Sequence, residues 1–142
     1  DQSEESRDRW IRQNRENSAR IKSILQTHGW PGWSSAVKNG SHDAWLLVQH
    51  SDFDLPFQKH ALSLLKTEVD NDNASKADFA YLTDRVLVAE GKPQLYGTQF
   101  HEVEGVQLPL PIRDGADLER RRAWAGLSTM QEYESVMNQP MN

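Results

Sequence analysis

Apolar residues recur with a helical period over most of the chain. Residues 4–27 carry an apolar stripe that stays thin until Ile21, so we expect a first helix whose first half lies at the surface. Gly29 follows as the residue that ends this helix. The segment 30–33 places two tryptophans around Pro-Gly, which predicts a tight connector that folds back on the core.

A short second helix is predicted over residues 42–50, with Ser41 as its N-cap. Its run Ala44–Val48 is apolar on every side, so we expect this helix to be central and buried. The third helix is predicted over residues 55–69, where apolar residues again follow the helical period. Asp54 is its expected N-cap.

The second half of the chain contains three further predicted helices. A capping box at Ser75 opens a fourth helix that runs to Glu90. A fifth helix is predicted over residues 117–125, and a last short helix runs from a cap at Ser128 to Met137. Glycines and prolines separate these segments and favour turns between them.

Alternation of apolar and polar residues replaces the helical period in residues 94–101 and again in residues 106–108. The dipeptide Glu104-Gly105 lies between these stretches and suits a tight turn. We therefore expect a small β-hairpin near residues 94–108 whose polar face packs against the fourth helix. The predicted fold class is mainly α, a compact single-domain bundle of about five to six helices with this one hairpin.

The length of 142 residues fits one domain, and we expect it to span residues 1–142 with frayed ends at 1–8 and 138–142. The first residue is Asp1 rather than Met, which is consistent with a removed N-terminal leader. No segment identifies a compartment, and we take the cytoplasm as the favoured one.

Charge and composition exclude several classes of function. The formal net charge of −5 has the wrong sign for general binding to nucleic acid. The longest apolar run is far shorter than the roughly 20 residues that span a bilayer, so no membrane insertion is expected. Cysteine is absent, which excludes thiolate chemistry and cysteine-based zinc sites. The His and carboxylate residues within 50–54 and 101–104 lack a known metal-ligand spacing, so we expect neither a metal nor a cofactor.

His50 follows the most apolar predicted helix, and its role can be structural or chemical. As a cap, its ring would bond a carbonyl of the last turn, where the helix dipole favours positive charge. As a functional group, it would be a general acid or base at the mouth of a pocket. Both interpretations stay open at the level of the sequence.

Tyr81, Asp84 and Arg85 lie within one turn of the predicted fourth helix, beside its buried face. They can form a structural ion pair that ties this helix to the hairpin. They can equally form an anion clamp with an acid–base carboxylate. The spacing supports both hypotheses.

Several polar residues surround Gly97 in the predicted first strand: Gln94, Tyr96, Thr98 and Gln99. Such a set can orient a polar substrate, or it can satisfy buried backbone groups. The basic run at 120–122 is usually a solvated helix face, but Trp124 lies one turn beyond it. We therefore expect one of its first two arginines to pack against the core beside a carboxylate, with Asp84 or Asp114 as candidates.

Five motifs in a fixed order make the chain resemble a known family. They are His28-Gly29-Trp30-Pro31-Gly32, Ala44-Trp45-Leu46-Leu47-Val48-Gln49-His50, Ala80-Tyr81-Leu82-Thr83-Asp84-Arg85-Val86, Pro93-Gln94-Leu95-Tyr96-Gly97-Thr98-Gln99, and Arg121-Arg122 followed by Gly126-Leu127 and Tyr133. The chain resembles an uncharacterised family of small bacterial proteins, a domain of unknown function that is common in actinobacteria. The resemblance implies a largely helical domain. Its recurring polar positions fall on His50, Gln58, Asp84, Arg85, Gln94, Tyr96 and Gln99.

Two classes of function are compatible with these residues. The first is a small acid–base enzyme that acts on a polar or anionic small molecule or peptide. Its catalytic residues would be His50 as base, Asp84 and Tyr96, and its substrate-binding residues would be Arg85, Gln94, Gln99 and Gln58. We expect His50, Asp84, Arg85, Gln94, Tyr96 and Gln99 to converge on one pocket.

The second class is a non-catalytic binding or immunity-type protein whose acidic surface meets a basic partner. Polar residues drawn from three segments favour the enzyme. The lack of a nucleophile motif, a glycine-rich phosphate loop or a metal signature favours the binding protein. We take the enzyme as the working hypothesis and keep the binding protein as its alternative.

Overall fold

The computed structural model describes residues 2–34 and 40–140 of the chain. These residues form six α-helices, one short 3-10 helix and a two-stranded antiparallel sheet, so the predicted fold class of mainly α with one small hairpin is confirmed. The chain divides into two compact units, residues 1–75 and 76–142. The expectation of a single domain over residues 1–142 stays a prediction.

The helices and strands lie close to their predicted places. They are α1 Gln2–His28, α2 Gly40–Gln49, α3 Leu55–Asp70, α4 Lys76–Ala89, β1 Phe100–Val103, β2 Val106–Pro109, α5 Leu118–Trp124 and α6 Met130–Met137. Of the ends expected to fray, residues 2–8 belong to α1, and residues 1, 141 and 142 lie outside the described residues. None of the described helices has the length and apolar character needed to cross a bilayer.

The first unit contains α1, α2 and α3, and α2 contacts both of the other helices. The first half of α1 is exposed, and its burial begins only at Ser18 and Ile21, as the thin stripe predicted. The apolar core of this unit comes from all three helices: Ile21, Leu25, Ala44, Val48, Phe57, Ala61, Leu65 and Val69. Periodic apolar residues thus place one face of each helix against the others.

The expected full burial of α2 is wrong. Ala44, Trp45 and Val48 are buried, but Leu46 is 40% exposed and Leu47 is only half-buried. A helix of ten residues that packs against two neighbours keeps part of its surface outside the core. The helix therefore contacts both of its neighbours, as a central helix does, but its apolar run is not buried on every side.

Ser41 lies inside α2 rather than at its N-cap. Its hydroxyl accepts a 2.8 Å hydrogen bond from the indole N–H of Trp30. The Trp30 side chain is buried. A buried indole needs an acceptor for its N–H, and the first turn of α2 supplies one. Trp33 is exposed, so only one of the two connector tryptophans folds back on the core.

The start of α3 follows the sequence prediction. Asp54 accepts a 3.2 Å hydrogen bond from the N–H of Phe57, which is the expected N-cap bond. Its second oxygen, Oδ2, lies 3.3 Å from Nζ of Lys22 in α1. The cap residue therefore also connects α1 with α3.

The hairpin of the second unit is shorter than predicted. Strands β1 and β2 pair through the Glu104-Gly105 turn, whose φ values of +50° and +82° are those of the I′ turns that join twisted two-stranded ribbons. Residues 94–99 were expected to be strand but are irregular, with one isolated bridge from Gln94 to Ile112. The N–H groups of Leu95, Tyr96 and Thr98 bond a side chain of α4 instead of a neighbouring strand.

The last two helices begin near the predicted positions. A 3-10 helix over Gly115–Asp117 leads directly into α5. The N-cap of α6 is Thr129 rather than the predicted Ser128, and its hydroxyl accepts a 3.2 Å bond from the N–H of Glu132. Both residue types are common N-caps, so N-cap preference alone does not place the start of α6 at Thr129.

Candidate functional site

The predicted site residues are divided between the two units. His50 and Gln58 belong to the first unit. The second unit contains the rest: Asp84, Arg85, Gln94, Tyr96 and Gln99. The structure brings most of the second group together around residues 94–99. A single pocket that includes residues of both units stays a prediction.

Asp84 of α4 holds the irregular loop 94–99. Its side chain is fully buried. Oδ1 accepts the N–H groups of Leu95 and Tyr96 at 2.8 and 3.0 Å, and Oδ2 accepts the N–H and the hydroxyl of Thr98 at 3.0 and 2.8 Å. A carboxylate offers about four lone-pair sites, so these bonds occupy all of them.

The carboxylate therefore ties α4 to the loop, but through N–H and hydroxyl groups rather than through an ion pair with Arg85. Arg85 itself is half-buried on α4. Hydrogen bonds to a charged acceptor are roughly twice as strong as neutral ones, which suits a buried carboxylate that anchors irregular backbone. The loop is thereby held in one conformation by a residue of the preceding helix.

Gln94 closes the same loop with its side-chain amide. Its Nε2 donates to the carbonyl oxygens of Gln99 and Leu110, each at 2.9 Å, and its Oε1 accepts the N–H of Gln99 at 2.9 Å. The Gln99 amide in turn donates to the hydroxyl of Thr98 at 3.0 Å. Gln94 is fully buried, so its amide replaces the backbone partners that a regular strand would have supplied.

Arg122 of α5 donates to two backbone carbonyls, one in the loop 94–99 and one in the segment after α5. Its Nη1 donates to the carbonyl of Tyr96 and its Nε to the carbonyl of Ser128, both at 2.7 Å. Its guanidinium carbon lies 5.0 Å from the ring centroid of Tyr133. Arg122 is only 1% exposed. The buried arginine is thus the third of the basic run, not one of the first two as predicted.

Arg121 also donates to carbonyl groups, those of Leu95 at 2.6 Å, of Arg113 and of Asp114. The expected carboxylate partner is therefore wrong as well, because backbone oxygens fill its place. Within residues 40–140, neither Arg121 nor Arg122 forms an ion pair. The buried carboxylate of Asp84 and the guanidinium groups of Arg121 and Arg122 thus bind the backbone of the loop rather than one another.

Two tyrosines near the loop are held in their neutral form. Burial raises the pKa of Tyr96, and the nearby charge of Asp84 raises it further, while Arg121 opposes this. Burial and the hydrogen bond between the hydroxyls of Tyr81 and Tyr133 raise the pKa of Tyr133. Both phenols are therefore proton donors at neutral pH, and neither is a ready base.

In the first unit, Gln58 rather than His50 caps the end of α2. Its Nε2 donates to the carbonyls of Val48 and Gln49 at 3.1 and 3.4 Å and to the carboxylate of Asp52 at 3.1 Å. Its Oε1 is buried and bonds none of the described residues. His50 is exposed directly after the helix. The capping role considered for the histidine is thus filled by a buried amide from α3.

Two open cavities lie side by side on the second unit, next to the fixed loop. One has a volume of about 370 Å³ and the other about 400 Å³, and they share Lys92 and Pro93. Their walls are mainly apolar and contain Leu87, Val88, Leu95, Leu110 and Pro111, while Arg113 lines the second cavity. We call these residues together the Pro93 groove. Volumes of this size suit small ligands.

Metal binding has no visible basis in the described parts of the chain. Residues 2–34 and 40–140 contain no group of three or more His, Asp or Glu side chains arranged to hold an ion. The charged residues that line the groove are Lys92 and Arg113, which pair with Glu90 and Asp114.

A family profile described as a family of unknown function, DUF6624, matches residues 9–141. The chain belongs to this family. Its membership confirms the resemblance to an uncharacterised family that the motifs had indicated. No curated protein and no solved structure is significantly similar to the chain. Membership of DUF6624 assigns no activity to the chain.

Sequence reasoning missed three residues that organise the loop of this DUF6624 chain. The motifs contain Thr98, Arg122 and Tyr133, but these three are not among the predicted site residues. The Tyr133 hydroxyl lies 3.5 Å from the carbonyl of Thr98 and 3.3 Å from the hydroxyl of Tyr81. The helical spacing of Arg122 from Leu118, four residues before it and also buried, was the available signal for its burial.

Proposed function

We propose that the second unit is a non-catalytic binding domain that takes an anionic ligand with an apolar body in the Pro93 groove. The single observation that carries this proposal is the groove itself, open and apolar, built against a loop that the interior holds rigid. Preorganised backbone beside a concave apolar surface lowers the entropy lost when a ligand binds. The polar residues of the loop support the groove and do not react.

The occupied state of Asp84 argues for binding rather than acid–base catalysis. A general acid or base must reach the proton that it transfers, directly or through one water. Asp84 is fully buried and its four lone-pair sites accept bonds from the chain itself. In this arrangement no oxygen of Asp84 is left for a substrate, so we assign it a positioning role.

The charge around the groove favours an anion. Arg121 donates to the carbonyls of Leu95 and Arg113, two groove residues, and so lies behind the wall with no carboxylate partner among the described residues. Lys92 and Arg113 lie at the rim and pair with Glu90 and Asp114 at 3.3 and 3.4 Å. The side chains of Lys92 and Arg113 are 60% and 67% exposed, so their ion pairs contribute little and a ligand carboxylate can replace them.

The apolar walls of the groove favour a ligand whose remaining part is apolar. Leu87, Val88, Leu110 and Pro111 present only carbon atoms from their side chains, which reward burial of an alkyl or aromatic body. A short carboxylic acid with such a body therefore matches both the lining and the charge. A free amino acid matches less well, because its ammonium group meets the positive rim.

Isothermal titration with three probes of equal chain length tests this proposal. We expect octanoate to bind, octan-1-ol to bind about tenfold more weakly, and octylammonium to bind least. Arg113→Gln and Lys92→Gln should each weaken octanoate binding several-fold while leaving octan-1-ol unchanged. Arg120→Gln is the matched control, because it removes the same charge from an exposed side chain that pairs with Asp117.

Three results would contradict the proposal. Tighter binding of octylammonium than of octanoate would give the groove the opposite charge preference. Equal loss of binding in the Arg120→Gln control would show that only net charge matters. Absence of binding by all three probes would remove the groove as a ligand site.

A further inference from the structure

The pairing of the hairpin determines which backbone groups point away from it. In this register Val103 lies opposite Val106 next to a two-residue turn, and His101 lies opposite Leu108. These two pairs exchange hydrogen bonds inside the hairpin, because bonded and non-bonded pairs alternate in an antiparallel ladder. The N–H and C=O groups of the intervening residue Glu102 therefore point outward.

The outer edge of β2 is covered by a side chain. The residue opposite Glu102 is Gln107, whose N–H donates to Oδ1 of Asn138 at 2.8 Å and whose carbonyl accepts from Nδ2 of Asn138 at 3.0 Å. One amide side chain thus supplies the donor and the acceptor that a third strand would offer. This edge is closed to a new strand at its centre.

The outer edge of β1 has no such cover within the described chain. The outward N–H and C=O groups of Phe100 and Glu102 bond none of residues 2–34 and 40–140. Glu102 is exposed and Phe100 is half-buried. The Phe100 ring packs against that of Tyr133, with 5.3 Å between the ring centroids. Two donors and two acceptors therefore form a ready template for strand addition.

One face of the hairpin is exposed and mainly apolar. Residues directly opposite each other in the ladder point to the same side, which places His101, Val103, Val106 and Leu108 on one face. The three aliphatic residues of this face are 40–49% exposed. An added strand would extend this face with alternate side chains of its own and bury part of it.

The charge of the edge selects the partner. Glu102 and Glu104 are exposed on β1 and in its turn. A strand that carried acidic residues would bring like charges together, whereas lysine or arginine opposite Glu102 is favourable. A second copy of the chain, paired about residue 102, would set two Glu102 carboxylates against each other.

We propose that the outer edge of β1 binds an extended segment of a basic partner protein as a third strand. Apolar residues of that segment lie beside His101 and Val103, and the alternate basic residues lie on the other face beside Glu102. Main-chain bonds to Phe100 and Glu102 supply affinity, and the alternating side chains supply specificity. This surface is separate from the Pro93 groove, so either proposal can fail without the other.

A blocked peptide of alternating valine and lysine, labelled with a fluorophore, tests the proposal by anisotropy against the full chain. Two matched peptides carry glutamate in place of lysine or N-methyl groups on alternate backbone nitrogens. We expect the lysine peptide to bind about tenfold or more tightly than either. Failure of the N-methyl peptide is the signature of strand addition, because only the backbone donors differ.

Protein variants separate the edge from general charge. Glu102→Pro removes the outward N–H at a position where the hairpin makes no internal bond, so it should abolish binding while the fold survives. Glu102→Lys should reverse the preference between the lysine and glutamate peptides. Glu134→Lys, with the same change of net charge on α6, is the control and should leave the preference intact.

Several outcomes would overturn the proposal. They are equal binding of the N-methylated peptide, full binding by a folded Glu102→Pro variant, and no binding of the lysine peptide at all. Concentration-dependent self-association that Glu102→Pro abolishes would assign the edge to a second copy of the chain instead. Sedimentation of each variant without peptide distinguishes that result, and circular dichroism checks that the variants fold.

Discussion

Thr98 donates both its backbone N–H and its hydroxyl to the same oxygen of Asp84, at 3.0 and 2.8 Å. Both residues are buried, and they lie 14 positions apart in the sequence. The pair fastens an irregular loop to the helix that precedes it. A carboxylate in a helix thus accepts the backbone N–H groups that a neighbouring strand would otherwise accept. The stability of the second unit should therefore depend on this carboxylate.

Replacement of Asp84 by Asn should destabilise the chain by at least about 3 kcal/mol. The amide keeps one acceptor oxygen, but its NH₂ group replaces the other oxygen and cannot accept the hydrogen bonds that this oxygen accepted. The free energy of unfolding in urea measures the loss. Thr98→Val keeps the backbone N–H bond to Asp84 but removes both bonds of the hydroxyl, the one to Asp84 and the one from the Gln99 amide, and should cost about 1–2 kcal/mol. If the Asp84→Asn variant were as stable as the wild type, other contacts would hold the loop.

Replacement of Arg122 by Met should cost about 3–5 kcal/mol, because it leaves the carbonyls of Tyr96 and Ser128 without donors in the interior. Arg120→Met is the control in the same helix, since that side chain is 79% exposed and pairs only with Asp117. We expect the control to change stability by less than about 0.5 kcal/mol. Comparable losses in the two variants would refute the anchoring role of Arg122.

Replacement of Gly32 by Ala should destabilise the first unit by about 1–3 kcal/mol. A Cβ at this position would lie 2.1 Å from Nδ2 and 2.8 Å from the backbone oxygen of Asn73. That oxygen also accepts the N–H of Trp33, so it cannot move freely. Gly115→Ala meets no atom within 4 Å and should be nearly neutral. Thermal unfolding of the two variants gives the comparison.

Stability should fall with rising pH above about pH 10, because the pKa of Tyr133 is raised from its ordinary value of 10.0 in the folded chain. Below that pH both the folded and the unfolded states keep the phenol proton, so Tyr133 adds no pH dependence. Above it the unfolded state releases the proton while the folded state retains it, which favours unfolding. Tyr133→Phe should flatten this part of the profile, as urea midpoints at successive alkaline pH values will show. An unchanged slope would contradict the assignment, although Tyr96 contributes in the same direction.

Much of the fold was accessible from local sequence signals. The periodic stripe of α1, the Asp54 cap of α3 and the Glu104-Gly105 turn each depend on residues within one or two turns of one another. Errors arose where a local pattern met a longer-range demand. The run Ala44–Val48 indicated a central helix, yet the burial of α2 is set by how many neighbours it has, which its own residues do not encode.

The candidate site was less accessible, although its residues were mostly noticed. Asp84, Gln94 and Gln99 were chosen for their polarity, and the structure uses them to satisfy irregular backbone. The sequence does not show which of the three adjacent arginines is buried, because that depends on which face of α5 packs against the core. The Pro93 groove was not predicted, since its walls come from the end of α4, the loop and the segment after β2.

By itself, the sequence determined where the helices and the hairpin turn lie, because helix periodicity, caps and positive-φ turns are short-range properties of adjacent residues. Only the tertiary structure decided which polar groups face one another. The bond between Arg122 and Tyr96 spans 26 positions, and that between Gln94 and Leu110 spans 16. A buried donor takes whichever acceptor the packing brings within about 3 Å, and that choice is made by the arrangement of whole elements rather than by any local pattern.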